Sequence, residues 1–282
     1  MVAEAEIVRH QSISVLDVPY RCIAKGRKVQ TTGELSPERA IPVFIQRILK
    51  LICHMGSSKD NEKILNYNDV LLRRSDLNIL SGPYFLNDRI IEFYFSYLAS
   101  CHPSEDILLV PPSISFWLTN CPDPESLKDF TEPLKLPDKK LIVFVVNNND
   151  DVTMAEGGTH WSLLAYERST NTFVHHDSMA GLNSLHAKRL WKALLGFIDS
   201  SGSDSDGRYL EYSATPQQRN GYDCGLYVLA IVKVICQWHE SVCSKDRVAL
   251  WFSTLKEQVV PSAVAEMRNK ILSLIRDLML KN

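Results

Sequence analysis

Pro216-Gln217-Gln218-Arg219-Asn220-Gly221-Tyr222-Asp223-Cys224-Gly225 runs straight into Leu226-Tyr227-Val228-Leu229-Ala230-Ile231-Val232-Lys233-Val234-Ile235. The first half is a polar loop. The second is a nearly unbroken apolar run, and one of that length behind a Gly-containing turn predicts a buried helix. Cys224 then falls at or just before the first helical turn. Unpaired backbone N–H groups and the helix dipole stabilise an anion there. The same environment lowers a thiol pKa from its free value of about 8.5. Two readings follow for Cys224: a nucleophile, or a small hydrophobe plugging the base of the helix.

Working upstream, Arg208 to Ala214 alternates like an edge or half-buried strand, after a Ser/Asp/Gly loop at 201–207. Ser184 to about Ser200 carries Leu185, Leu190, Leu194, Leu195 and Ile198 at helical spacing. Before it, His160 to Tyr166 and Thr172 to Asp177 are strands joined by a short turn, Glu167 to Thr170, so they form a hairpin. Leu141-Ile142-Val143-Phe144-Val145-Val146 is continuous and rich in β-branched residues, the pattern of a central buried strand. The loop from Asn147 to Gly158 is acidic, with Asp150, Asp151 and Glu156, and Gly157-Gly158 give it a hinge. Further upstream, Asn87 caps a helix to about Ser100, and Tyr67 to Leu80 mixes a short strand with a turn-rich segment. Short helices are expected over Ser113–Thr119 and Pro124–Phe130, and a short strand over Ile107–Val110. Downstream, Ala263 to Leu280 is strongly amphipathic. Helices, then a run of strands, then helices predict an α+β fold.

The amino-terminal region reads differently. Ser36-Pro37-Glu38-Arg39 is a helix start, and Ile41, Phe44, Ile45, Ile48, Leu49 and Ile52 continue it as a short amphipathic helix. Gly56 to Glu62 reads as a linker. The expected organisation is therefore an extension over 1–62 and a main domain over 63–282, with Met55 as an alternative start.

The totals exclude several classes. The 282 residues carry a net charge of −2, so no electrostatic case exists for nucleic acid. There are 7 cysteines without compact disulfide spacing, which points to a reducing compartment, cytoplasm or nucleus. No run is long and apolar enough to span a membrane. Cys236, His239 and Cys243 share a helix face but lack paired Cys-x-x-Cys spacing, so no metal is expected. No phosphate-cradling or dinucleotide motif occurs, so no cofactor is expected either.

The hairpin brings chemistry to Cys224. If its turn is Glu167 to Thr170, Tyr166 pairs with Asn171, and His160 lies directly opposite Asp177. Opposed side chains share a face with Cβ atoms about 4.5–5.5 Å apart. A carboxylate so placed accepts from one ring nitrogen and turns the other toward a nucleophile. His176 points to the opposite face. His175 shares the face of His160 but stands opposite Ser162. Cys224, His160 and Asp177 thus supply a thiol, a base and an orienting acid. Gln218 is either an oxyanion donor or an ordinary loop residue.

Gly157-Gly158-Thr159-His160-Trp161-Ser162-Leu163-Leu164, His176-Asp177-Ser178 and Gln218 through Gly225 together resemble the Ulp/sentrin-specific cysteine protease family. Ser75-Asp76, Leu86-Asn87-Asp88, Glu132-Pro133-Leu134 with Leu136-Pro137, and Asn183 to Lys188 are most similar to its deneddylase branch. The resemblance implies a cysteine-protease fold, a mixed central sheet flanked by helices, with the nucleophile at a buried helix N-terminus. It implies His160 as base, Asp177 as its orienter, Cys224 as nucleophile and Gln218 as oxyanion donor. Trp161, Phe85, Asn87 and Asp88 would bind substrate, with Trp161 roofing a tunnel for a terminal Gly-Gly. Phe85 stands where the family carries Trp and keeps an aromatic wall. The implied activity is cleavage after the Gly-Gly of the ubiquitin-like neddylation modifier, in precursors and in conjugates such as cullins. The chain would act as a monomer, without nucleic acid or membrane. SUMO as the modifier, or a catalytically inactive binder, are the alternatives.

Overall fold

The computed structural model describes residues 59–121, 123, 125–154, 157–198, 207–242 and 250–281. The amphipathic helix expected between Ser36 and Met55, and the first three residues of the linker after it, lie outside them. In chain order the elements are strands β1 (Lys63–Tyr67) and β2 (Val70–Arg73), then helices α1 (Arg74–Ser81) and α2 (Asp88–Cys101). Strand β3 (Ile107–Leu109), helices α3 (Pro112–Asn120) and α4 (Leu127–Thr131), and two 3-10 turns lead into β4 (Leu141–Asn147). The hairpin strands β5 (Trp161–Glu167) and β6 (Thr172–His176) follow, then helix α5 (Ser184–Ile198) and strand β7 (Arg208–Glu211). Helices α6 (Cys224–Val242), α7 (Phe252–Gln258) and α8 (Pro261–Met279) complete the fold.

β3 to β7 form one sheet in chain order, antiparallel at β4–β5–β6 and parallel at its two edge pairs. β1 and β2 form a separate antiparallel pair. The unbroken apolar run of β4 has a simple cause. Leu141, Val143 and Val145 join one core cluster, with α2, α6 and α8. Ile142, Phe144 and Val146 join the other, with α3, α4 and α5. A strand covered on both faces has no polar side to show. Helix α6 is apolar on all but a narrow stripe holding the exposed Lys233 for the same reason: Leu226, Tyr227, Val228, Leu229, Ile231, Val232 and Ile235 are all buried. Between Tyr67 and Leu80 the expected short strand is β2, and the part expected to be turn-rich is instead helix α1.

The hairpin departs from its expected register. Tyr166 pairs with Phe173 and not Asn171, a shift of two residues. The turn is Arg168 to Asn171, because Glu167 stays in the strand opposite Thr172. Its carboxylate accepts from the Ser169 and Thr170 N–H groups at 3.1 and 2.8 Å. Asn171 then closes the turn at a φ of 46°, a left-handed conformation that Asn tolerates. Arg168 nails the turn down by donating to the carbonyls of Lys139, Leu136 and Ile198. A slip of two conserves the face of every side chain. His160 and Asp177 therefore remain on one face although they are not directly opposed.

Candidate active site

His160 is the last residue before β5 and Asp177 the first after β6. His160 Nε2 lies 2.6 Å from Asp177 Oδ1, and both side chains are buried. The carboxylate has two more donors, the Met179 N–H on Oδ1 and the Asn183 N–H on Oδ2, each at 2.8 Å. Burial alone would raise its pKa; the His160 ring and these two N–H groups together hold it below the usual carboxylate range. The other ring nitrogen, Nδ1, is buried and has no other hydrogen-bond partner among the described residues, which leaves it for Cys224. Burial pulls the imidazole pKa down, but hydrogen bonds and charge from Asp177 and Cys224 outweigh it and push it up to about 9. Cys224 itself is the first residue of α6 and fully buried. A thiol, an imidazole and a carboxylate in this order can form an ion pair and perform acyl transfer.

The loop before Cys224 is tied by its own side chains. Asn220 Oδ1 accepts from the Tyr222 and Asp223 N–H groups, and its amide donates to Asp223 Oδ2 at 2.7 Å. Gln218 is half-buried. Its Oε1 accepts from Ser178 Oγ at 2.7 Å and its Nε2 donates to the Asn220 carbonyl at 2.6 Å. That pattern fixes the amide orientation, since a flip would set two acceptors together. The second Nε2 hydrogen is not used by either contact. Gln217 laces the same loop to the acid: its Nε2 donates to the Asp177 carbonyl and its Oε1 accepts from the Ala180 N–H.

The expected substrate residues divide. Trp161 is half-buried and donates its indole N–H to the Leu86 carbonyl at 2.8 Å. Leu86 also presses on the nucleophile helix, where a Cβ on Gly225 would sit 2.9 Å from the Leu86 Cβ. The segment bearing Phe85, Leu86, Asn87 and Asp88 is thereby held against both Trp161 and the start of α6. Phe85 is 46% exposed and Asp88 is exposed. Asn87 is used by the fold: Oδ1 caps α2 at the Ile90 N–H, and Nδ2 donates to Asp76 at 2.7 Å. Asp76 is fully buried and also pairs with Arg89 at 3.1 Å.

Two features were not legible in the sequence. Arg268, on α8, pairs with Asp223 at 2.8 Å and donates to the carbonyls of Ile79 and Tyr84. It neutralises the carboxylate that immediately precedes Cys224. In the acidic loop, Asp150 is paired with Arg189 at 2.6 Å and lies 3.3 Å from His186, and Asp151 accepts from Thr153. Those two carboxylates are already partnered. Cys236 is buried, and burial pushes its thiol up to about 12, so it stays protonated; Cys243 lies outside the described residues. A cavity of about 520 Å³ opens between α3 and α5, but none of His160, Asp177 and Cys224 lines it.

A helix-borne thiol facing an acid-oriented imidazole at the ends of the sheet's inner strands defines a cysteine-type peptidase. The family model for the Ulp1 protease family, C-terminal catalytic domain, matches residues 84–270. The chain belongs to that family. It is 55% identical over 225 residues to NEDD8-specific protease 1 of Arabidopsis thaliana, covering 80% of this chain and 97% of that one. It is 38% identical over 177 residues to human sentrin-specific protease 8, covering 62% of this chain and 81% of the relative. Among solved structures, the C-terminal Ulp1 protease domain in complex with Smt3, the yeast ortholog of SUMO, superposes with a TM-score of 0.56. That match has 19% identity and spans 88% of this chain and all of the other, which fixes the fold. Among the described residues, no helix is long and apolar enough to cross a membrane.

Proposed function

We propose that this chain is a thiol protease and isopeptidase that cleaves after the terminal Gly-Gly of NEDD8. It processes the precursor and removes the modifier from conjugated lysines, cullins among them. The observation that carries the reading is the buried His160 held by Asp177 at 2.6 Å with its free nitrogen left for Cys224. The identity to NEDD8-specific protease 1 directs it to that modifier. The catalytic unit is 63–282, acting as a monomer in cytoplasm or nucleus.

Cys224 Sγ attacks the carbonyl carbon of the terminal glycine. The oxyanion is met by the spare Gln218 Nε2 hydrogen and the Cys224 backbone N–H, which by its helical position has no intrahelical partner. His160, protonated in the ion pair, gives its proton to the leaving amine. The C–N bond breaks and a thioester remains. His160 then takes a proton from water, whose hydroxyl attacks the thioester, releasing the free carboxylate and Cys224. Trp161 and Phe85 wall a passage that only residues without side chains can traverse. Asp88, exposed at its mouth, faces the basic tail of the modifier.

Fluorogenic C-terminal derivatives of NEDD8, SUMO and ubiquitin test this, with Cys224→Ala alongside. NEDD8 turnover that vanishes in Cys224→Ala is expected. Preferred SUMO turnover overturns the substrate, and turnover by Cys224→Ala overturns the mechanism. Absence of all turnover with tight modifier binding would leave a binding module.

A further inference from the structure

Behind the His160–Asp177 pair lies a second row of buried polar side chains. Asn183, just before α5, gives its backbone N–H to Asp177 Oδ2. Its side-chain Nδ2 shares two hydrogens among three acceptors, the His160 carbonyl, the Val146 carbonyl and Ser162 Oγ, at 3.3, 3.2 and 3.1 Å. Ser162 Oγ lies 2.9 Å from His175 Nε2, and His175 Nδ1 lies 2.6 Å from Glu211 Oε1 on β7. Tyr209 donates its hydroxyl to the other Glu211 oxygen at 2.7 Å. Asn183 and His175 are fully buried and Ser162 is 1% exposed.

With His175 neutral, the donors and acceptors admit one consistent order. The Glu211 carboxylate only accepts, so His175 carries its proton on Nδ1 and offers Nε2 as an acceptor. Ser162 then donates to His175 and accepts from the Asn183 amide. Serine, histidine and acid here have the order of a serine hydrolase triad, but the hydroxyl is sealed from any substrate. Its use must be mechanical. The amide that ends the row is clamped to the backbone of His160, and the same residue's N–H holds the acid that orients the ring.

We infer that Asn183, Ser162 and His175, anchored by Glu211, are positioning residues that hold Asp177 and the His160 main chain in one geometry. The inference rests on the proposed roles of His160 and Cys224 and extends them. Such rows couple through shared proton order, so breaking any link loosens the whole.

The test measures kcat, KM and the pH dependence of Cys224 alkylation by iodoacetamide in wild type, Ser162→Ala, Asn183→Ala and their double variant. Each single variant is expected to lower kcat by about 10- to 100-fold with KM unchanged. Each also moves the alkaline limb of alkylation to lower pH, and the double falls no further than the worse single. Glu211 is partly exposed, with a side chain 36% accessible, so variants there keep the fold. Glu211→Gln keeps an acceptor for His175 and retains more activity than Glu211→Leu. Multiplied losses in the double, an unmoved alkylation limb, or losses confined to KM overturn the inference. Alkylation needs no modifier. A wild type that alkylates in this way yet cleaves no Gly-Gly substrate would sink the proposed function and leave the positioning row intact.

Discussion

His160 stands between a carboxylate and a thiol, and both favour its charged form. Its folded pKa of about 9 lies above the unfolded value of about 6.5. The ring is therefore protonated through neutral pH, and the stability it contributes is present below 6.5 and lost as pH rises through about 9. Since the leaving amine needs that proton, kcat/KM is expected to fall above about pH 9. Asp177→Asn removes the charge and replaces one of the two acceptor oxygens with a donor. It should pull the limb to lower pH and lower kcat by about 100- to 10,000-fold. A pH–rate profile of the two proteins decides it, and an unmoved limb would separate Asp177 from His160. A second residue carries the glycine argument. A Cβ on Gly225 would meet Leu86 Cβ at 2.9 Å, whereas one on Gly221 would meet nothing within 4 Å. Gly225→Ala should cost about 1–3 kcal/mol in unfolding free energy. It should also slow turnover through the displaced Leu86–Trp161 contact. Gly221→Ala, in the same loop, should leave thermal unfolding and rate close to wild type.

At the scale of elements, α6 brings its thiol to the ends of strands β5 and β6 and α8 keeps the approach neutral. Arg268 is 45 residues from Asp223 in sequence, and both side chains are largely buried, at 11% and 12% accessible. Arg268→Met strands a buried carboxylate beside Cys224. The expected loss is about 3–5 kcal/mol of stability, with slower alkylation of Cys224 at neutral pH because the nearby charge opposes the thiolate. Arg268→Lys, which keeps the charge but not the three-way fork, should fall between. Equal alkylation rates in all three would refute the electrostatic part. Arg268 had no local signal, because its meaning depends on a helix packing beside α1 and α6. By contrast β4 and α6 were legible, since burial on nearly all sides leaves a run with almost no polar member. Asn87 was legible as a cap from its place before an apolar stripe. The hairpin was half legible: the period of two preserved the shared face of His160 and Asp177. The register itself depended on Glu167 capping its own turn, which the alternation does not encode. Ser162 and His175 both sat in plain view on the correct face, but a buried polar chain is visible only once its far end, Glu211, is placed on the neighbouring strand.

Across the whole molecule, the carboxy-terminal helices are joined to the sheet through a histidine. His176 points away from the site, accepts from the Trp251 indole at 2.9 Å and contacts Thr215 Oγ1 at 3.1 Å. Burial drives its pKa down to about 3; protonation of the neighbouring His175 would add to this, and the Glu211 charge opposes it. A folded pKa below the unfolded 6.5 means full stability above 6.5 and a loss of about 1.4 kcal/mol per unit as pH falls below it. Glu92, on α2, does the opposite. Burial, with the Asp88 charge one turn away, raises it to about 7, so its ionisation destabilises the fold above 4.5. That penalty is relieved as pH falls from 7 to 4.5. Between pH 7 and 5 the two offset each other, and the unfolding free energy of the wild type should stay within about 1 kcal/mol. Glu92→Gln removes the relief and leaves the His176 cost exposed. Its stability should be higher than wild type at pH 7, and that advantage should shrink by about 2 kcal/mol by pH 5. Urea unfolding of both proteins at the two pH values measures the difference directly. Parallel profiles would mean that Glu92 is not held protonated by its burial, and that the flat response has another source.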